Sequence, residues 1–98
     1  MFKRLAISSN AQSVSIDLRL WEELRAGKAE ALNELYDRYV LLLFNYGSKI
    51  TTDQGLIEDC IQELFVELWE KREKISSTTS VKFYLLKSIS FRKMRRLM

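Results

Sequence analysis

Helical spacing is the main periodic signal along this chain, with apolar residues recurring at intervals of three and four, and it predicts four segments. Asp17 reads as an N-cap ahead of an apolar stripe of Leu18, Leu20, Trp21 and Leu24, and Gly27 stands where a helix would stop, so the first helix is expected to be short and to pack across its neighbour. The second runs from about Lys28 to Ile50, with Ala31, Leu32, Leu35, Tyr36, Tyr39, Leu42, Leu43 and Tyr46 on its apolar side. Thr51, Thr52, Asp53 and Gly55 break it. The third, from about Leu56 to Ile75, puts Ile57, Ile61, Leu64, Phe65 and Leu68 on one face and Glu58, Asp59, Gln62, Glu63, Glu67 and Glu70 around the other. After a polar break from Ser76 to Ser80, Ser80 caps a fourth helix whose Val81, Tyr84, Leu85, Ile89 and Leu97 face inward.

Three long helices and one short N-terminal helix joined by brief loops predict an all-α fold, a compact bundle over residues 16–98. The absence of Pro and the presence of only three Gly favour long helices over strands and turns. Residues 1–15 have weak periodicity and are expected to form a partly disordered tail, although Leu5 and Ile7 have the character to dock.

Charge changes this picture, because its sign reverses near the end of the chain. Residues 51–75 carry seven acids against three bases, whereas residues 76–98 carry six bases and no acid. The acidic amphipathic stretch suits a protein surface rich in Arg and Lys, and the acid-free basic helix reads first as a binder of phosphate backbone.

Composition narrows the chemistry. Ninety-eight residues bury a modest single core without disulfides, and the lone Cys60 has no internal partner. It lies between the apolar and acidic faces of the third helix and reads as packing rather than as a reactive thiol. With no His, no metal site and no cofactor are expected. No stretch approaches the ~20 apolar residues that span a bilayer, Met1–Ser15 lacks the apolar run of a signal peptide, and a cytoplasmic protein without membrane contact is the expectation. Catalysis finds no support either: there is no Gly-rich phosphate loop, no Ser nucleophile elbow and no partner for the thiol.

Three blocks then carry a family resemblance. The segment Ala31-Leu-Asn-Glu-Leu-Tyr-Asp-Arg-Tyr39, the segment Ile57-Glu-Asp-Cys-Ile-Gln-Glu-Leu-Phe-Val-Glu-Leu-Trp69 and then Tyr84-Leu-Leu-Lys87 resemble, in order and spacing, the second conserved region of bacterial extracytoplasmic-function sigma factors. The resemblance covers roughly residues 17–97. It implies a helical domain that binds the clamp coiled coil of the RNA polymerase beta-prime subunit and recognises the non-template strand of the promoter −10 element during melting. The family's Asp-x-x-Gln-Glu motif falls on Asp59, Gln62 and Glu63, and Val66, Glu67 and Glu70 continue that face, giving six polymerase-binding candidates. A charged helix face is ordinarily only solvated; the motif match is what assigns it a partner. Phe65 reads as core, and Trp69 also reads as core rather than as an interface anchor.

On the DNA side, the family's loop before the last helix forms a pocket for a flipped base, which needs short polar groups for its edges and a ring to stack on. Ser76, Ser77, Thr78, Thr79 and Ser80 supply hydroxyls, Phe83 or Tyr84 a wall, and Lys82, Lys87, Arg92, Lys93, Arg95 and Arg96 phosphate contacts. Tyr36, Tyr39 and Tyr46 read as core by spacing rather than as a stacking platform.

Two departures from the family pattern stand out. Full-length members carry a second, helix-turn-helix domain that reads the −35 element, and this chain stops at Met98, so a fragment that does not direct transcription alone is expected. Phe91 stands where Asn is common and Lys87 replaces Arg. The competing readings are a generic helical DNA-binding regulator, which lacks its usual short Gly turn here, and a helical protein-protein adaptor, which leaves the basic end idle. The resemblance also implies an anti-sigma partner, expected for many members of the family, which would mask the same two faces, and a monomer is expected.

Overall fold

A computed structural model describes the backbone of residues 2–97 and the side-chain environments of residues 12–90. Four helices occur, α1 (Phe2–Arg25), α2 (Ala29–Ser48), α3 (Gln54–Glu70) and α4 (Val81–Leu97), with no strand among the described residues. α2 packs on all three other helices, α3 also on α4, and α1 also on α4. The expected all-α bundle is therefore present.

The first helix differs from expectation. It is 24 residues long rather than short, and its backbone is helical from Phe2, with no helix start at Asp17. Asp17 is not a cap. It lies inside the helix, 5% exposed, where its carboxylate accepts a hydrogen bond from Arg38 Nε at 2.8 Å and another from the Tyr39 hydroxyl. Arg38 also donates to the Ser13 hydroxyl at 2.8 Å. A short acidic side chain ahead of an apolar stripe has the signature of a cap, but here two partners on α2 claim it. The docking of Leu5 and Ile7 and the inward placement of Leu97 fall outside the described side chains.

Helix ends are set locally. Gly27 has a φ of 95°, and the Gly27 and Lys28 amides donate to the Leu24 and Glu23 carbonyls at 2.9 and 3.0 Å, the Schellman closure that a residue with a Cβ adopts only under strain. Asp53 caps α3 by accepting from the Leu56 amide at 3.0 Å. α3 ends at Glu70 rather than near Ile75, the chain continuing in turns closed by the Lys74 and Ile75 amides on the Lys71 carbonyl, and Arg72 donates to the Trp69 carbonyl at 2.7 Å with its guanidinium 4.1 Å from the Trp69 ring centre.

The core is assembled from the predicted faces. Ala31, Leu35, Tyr39 and Leu43 of α2 meet Ile57, Cys60, Ile61, Leu64, Phe65 and Leu68 of α3 and Val81, Leu85 and Ile89 of α4, all buried. Leu20, Trp21 and Leu24 of α1 close the cluster at 1% exposure or less. Leu32, Tyr36, Leu42 and Tyr46 are only partly buried at its margin.

Removing the Asp17 carboxylate leaves the buried Tyr39 hydroxyl without its acceptor and Arg38 with Ser13 alone, so Asp17→Ala should cost about 2 kcal/mol in urea unfolding with an unchanged m value; a cost under about 1 kcal/mol would show that the junction does not hold α1 in place. The Tyr39 phenol is pushed well above its ordinary range, first by burial and then by the Asp17 hydrogen bond and charge, against a smaller opposing effect of Arg38. A raised folded-state pKa means that the unfolded chain loses this proton first. The associated stability is therefore complete below about pH 10 and is lost as pH rises beyond it. The urea midpoint should fall more steeply above about pH 10 in the native chain than in Tyr39→Phe; equal slopes would contradict the shift.

Candidate functional site

α3 is amphipathic at helical spacing, so burying its apolar face fixes the direction of the opposite one. Asp59, Gln62, Glu63, Val66, Glu67 and Glu70 all surround one shallow groove of about 400 Å³. Glu67 pairs with Lys71 at 3.4 Å across one turn, and its side chain remains 45% exposed. Val66, 56% exposed, is the apolar centre among four carboxylates. This is the composition of a polar-rimmed contact for a cationic surface, on which Arg can be held in bidentate fashion.

A second groove of about 320 Å³ adjoins the first and shares Val66 and Glu70 with it. It is lined further by Leu32, Asn33, Tyr36, Phe65 and Trp69. The rings of Tyr36 and Phe65 meet edge to face at 5.2 Å, and Trp69 is half-buried rather than fully in the core. The periodicity that marked Tyr36 and Trp69 as inward is correct for one edge of each ring and silent about the other.

The Ser76–Ser80 loop is held by hydrogen bonds that the sequence did not reveal. Trp21 Nε1 donates to the Ser76 carbonyl at 2.9 Å and Arg25 Nε to the Ile75 carbonyl at 2.8 Å. Ser77 Oγ accepts from Arg25 Nη1 at 2.8 Å and donates to Glu22 Oε2 at 2.9 Å, while Arg25 and Glu22 pair with each other at 2.6 Å. Thr78 Oγ1 accepts from the Ser80 amide and donates to the Ser80 carbonyl, and Ser80 Oγ caps α4 through the Phe83 amide at 3.2 Å. Three of the five hydroxyls are thus engaged inside the protein. The hydroxyls of Ser76 and Thr79 have no bond to protein among the described residues, and both residues are exposed.

The start of α4 sorts its rings. Tyr84 is half-buried, edge-on to Trp21 at 4.8 Å, whereas the neighbouring Phe83 is 71% exposed. Phe83, Lys82 and Thr79 line a cleft of about 330 Å³ whose other wall is Ser13 and Val14 of α1, with Asp17 and Tyr39 also lining it. Reading residues 1–15 as a tail hid the contribution of α1. Lys82 and Lys87 are exposed. The backbone of α4 continues helically to Leu97, but the side chains of Arg92, Lys93, Arg95 and Arg96 lie outside the described residues.

The acidic groove and this cleft have no lining residue in common, so the two are separate on the surface. Among the described residues, no group of three or more His, Cys, Asp or Glu could hold a metal, and no helix is long and apolar enough to cross a membrane.

Comparison with known proteins points the same way. The family model described as Sigma-70 region 2 matches residues 35–97. Curated relatives described as ECF RNA polymerase sigma factor SigL, from the Erdman and Oshkosh strains of Mycobacterium tuberculosis, are 32% identical over 53 residues, covering 54% of this chain and 30% of each relative. The match thus spans less than a third of the length of these relatives. No solved structure matches.

Proposed function

Since this chain belongs to the Sigma-70 region 2 family, we propose that it acts in transcription initiation as the region-two domain of an extracytoplasmic-function sigma factor, with the α3 groove on RNA polymerase core and the α1–α4 cleft on promoter DNA. The observation that carries this reading is that Asp59, Gln62, Glu63, Val66, Glu67 and Glu70 all converge on one groove. The occupant of that groove is the clamp coiled coil of the beta-prime subunit. Its Arg and Lys side chains meet the four carboxylates, and an apolar side chain covers Val66.

On the DNA side, a base of the non-template strand leaves the −10 stack and lies against Phe83, with the exposed Thr79 and Ser76 hydroxyls able to bond its edges. Lys82 and Lys87, continued by Arg92, Lys93, Arg95 and Arg96 along α4, neutralise phosphates and set the position of the strand without reading its sequence. Binding energy spent on the unpaired strand favours the open promoter. Bond-making belongs to the polymerase, and the domain supplies position and strand separation.

Titration of the chain with purified clamp coiled coil should show saturable binding that weakens by about tenfold or more in the double variant Gln62→Ala, Glu63→Ala, with helicity unchanged; equal affinity would remove the acidic face from the account. For DNA, replacing Lys82 and Lys87 by Ala should lower affinity for single strands and reduce the slope of log K against log salt by about 1.4, at about 0.7 per phosphate contact. An unchanged slope would mean that neither lysine meets a phosphate.

A further inference from the structure

The hydrogen bonds between α1 and the loop before α4 go beyond what packing requires. Arg25 reaches the loop twice, at the Ile75 carbonyl and the Ser77 hydroxyl, Glu22 accepts from that same hydroxyl, and the Trp21 indole holds the next carbonyl, Ser76. Glu22 and Arg25 are 52% and 33% exposed, so neither is needed to fill the core. A five-residue loop of Ser and Thr has little intrinsic order, and fixing each residue costs backbone entropy. If that cost were met at the moment of DNA binding, it would be subtracted from affinity.

We propose that Trp21, Glu22 and Arg25 form a positioning bracket that sets the Ser76–Ser80 loop in its DNA-competent shape before the strand arrives. The proposal rests on the nucleic-acid part of the proposed function. None of the three residues needs to touch DNA. The indole fixes the start of the loop and abuts Tyr84, Arg25 and Glu22 fix Ser77 through complementary donors and acceptors, and Ser80 then starts α4 with Phe83 and Lys82 facing outward. Ser77 is accordingly a structural hydroxyl, engaged on both its donor and acceptor sides, and Thr79 and Ser76 are the ones left to meet a ligand.

Glu22 makes the decisive test, because the bracket and simple electrostatics predict opposite signs. Deleting an acid raises the net charge of the protein and would by itself strengthen binding to a polyanion. The bracket predicts that Glu22→Ala weakens it. The measurement is fluorescence anisotropy of a labelled random-sequence single-stranded DNA of about 16 nucleotides, with the native chain, Glu22→Ala, Ser77→Ala, Arg25→Lys and Arg25→Ala. Each variant is expected to lose about three- to tenfold in affinity, the scale of one or two hydrogen bonds. For Glu22→Ala, Ser77→Ala and Arg25→Lys the salt slope should be unchanged. Clamp affinity should stay at the native value for every variant, and amide exchange should accelerate at Ser77–Val81 but not in α2 or α3. Stronger binding by Glu22→Ala, or loss confined to Arg25→Ala with native behaviour of Arg25→Lys and Ser77→Ala, would overturn the bracket and leave Arg25 a phosphate contact. No DNA binding by the folded native chain would overturn the nucleic-acid reading and the bracket with it.

Discussion

Three residues four apart on α1, Asp17, Trp21 and Arg25, bring buried or half-buried polar groups against other elements, and the arrangement of the domain depends on satisfying them. A carboxylate or an indole N–H taken out of water must find a partner or cost the folded state several kcal/mol, on the order of 1–3 for a neutral donor and more for a charge. Asp17 finds Arg38 and Tyr39 on α2, Trp21 finds the Ser76 carbonyl, and Arg25 finds the Ile75 carbonyl and Ser77. These directional bonds fix the register of the C-terminal part of α1, tying it through Asp17 to α2 and through Trp21 and Arg25 to the loop that leads into α4.

With α1 and the loop fixed in this way, the two sites on the surface follow from the amphipathic pattern. α3 turns its aliphatic face to the core and has only one direction in which to present its acids. α4 begins where Ser80 caps it, so Lys82 and Phe83 fall on the outside and Val81, Tyr84 and Leu85 point toward the core. An acidic groove and a basic helix start beside an exposed ring are thus kept apart by the same core that joins them. That separation suits the proposed binding of a protein and a nucleic acid simultaneously.

Much of this was legible in the chain, and the parts that were not have identifiable reasons. The faces of α2 and α3, the Gly27 stop and the Ser80 cap follow from local rules, and the structure bears them out. Asp17 misled because a cap and a buried ion-pair partner share one residue type, and only the fold brings Arg38 and Tyr39 to it. The early start of α1 was hidden by polar, weakly periodic residues between Ser8 and Ser15. At the start of α4, periodicity put Tyr84 on the inward stripe, and the structure packs it against Trp21 and leaves Phe83 outside. Of the acidic-groove residues, Asp59, Gln62 and Glu63 came from the family resemblance and Val66, Glu67 and Glu70 from continuing their helix face, whereas Glu22 and Arg25 carried no signal beyond an ordinary i,i+3 pair.

The proposed function places two partners on two separate surfaces. The most direct test is amide and side-chain chemical-shift mapping of the isotope-labelled chain, titrated separately with clamp coiled coil and with single-stranded DNA. Clamp-induced shifts are expected to centre on Asp59–Glu70 and DNA-induced shifts on Ser76–Lys87, with each set persisting when the other ligand is added. Coincident shifts, or displacement of one ligand by the other, would contradict that placement.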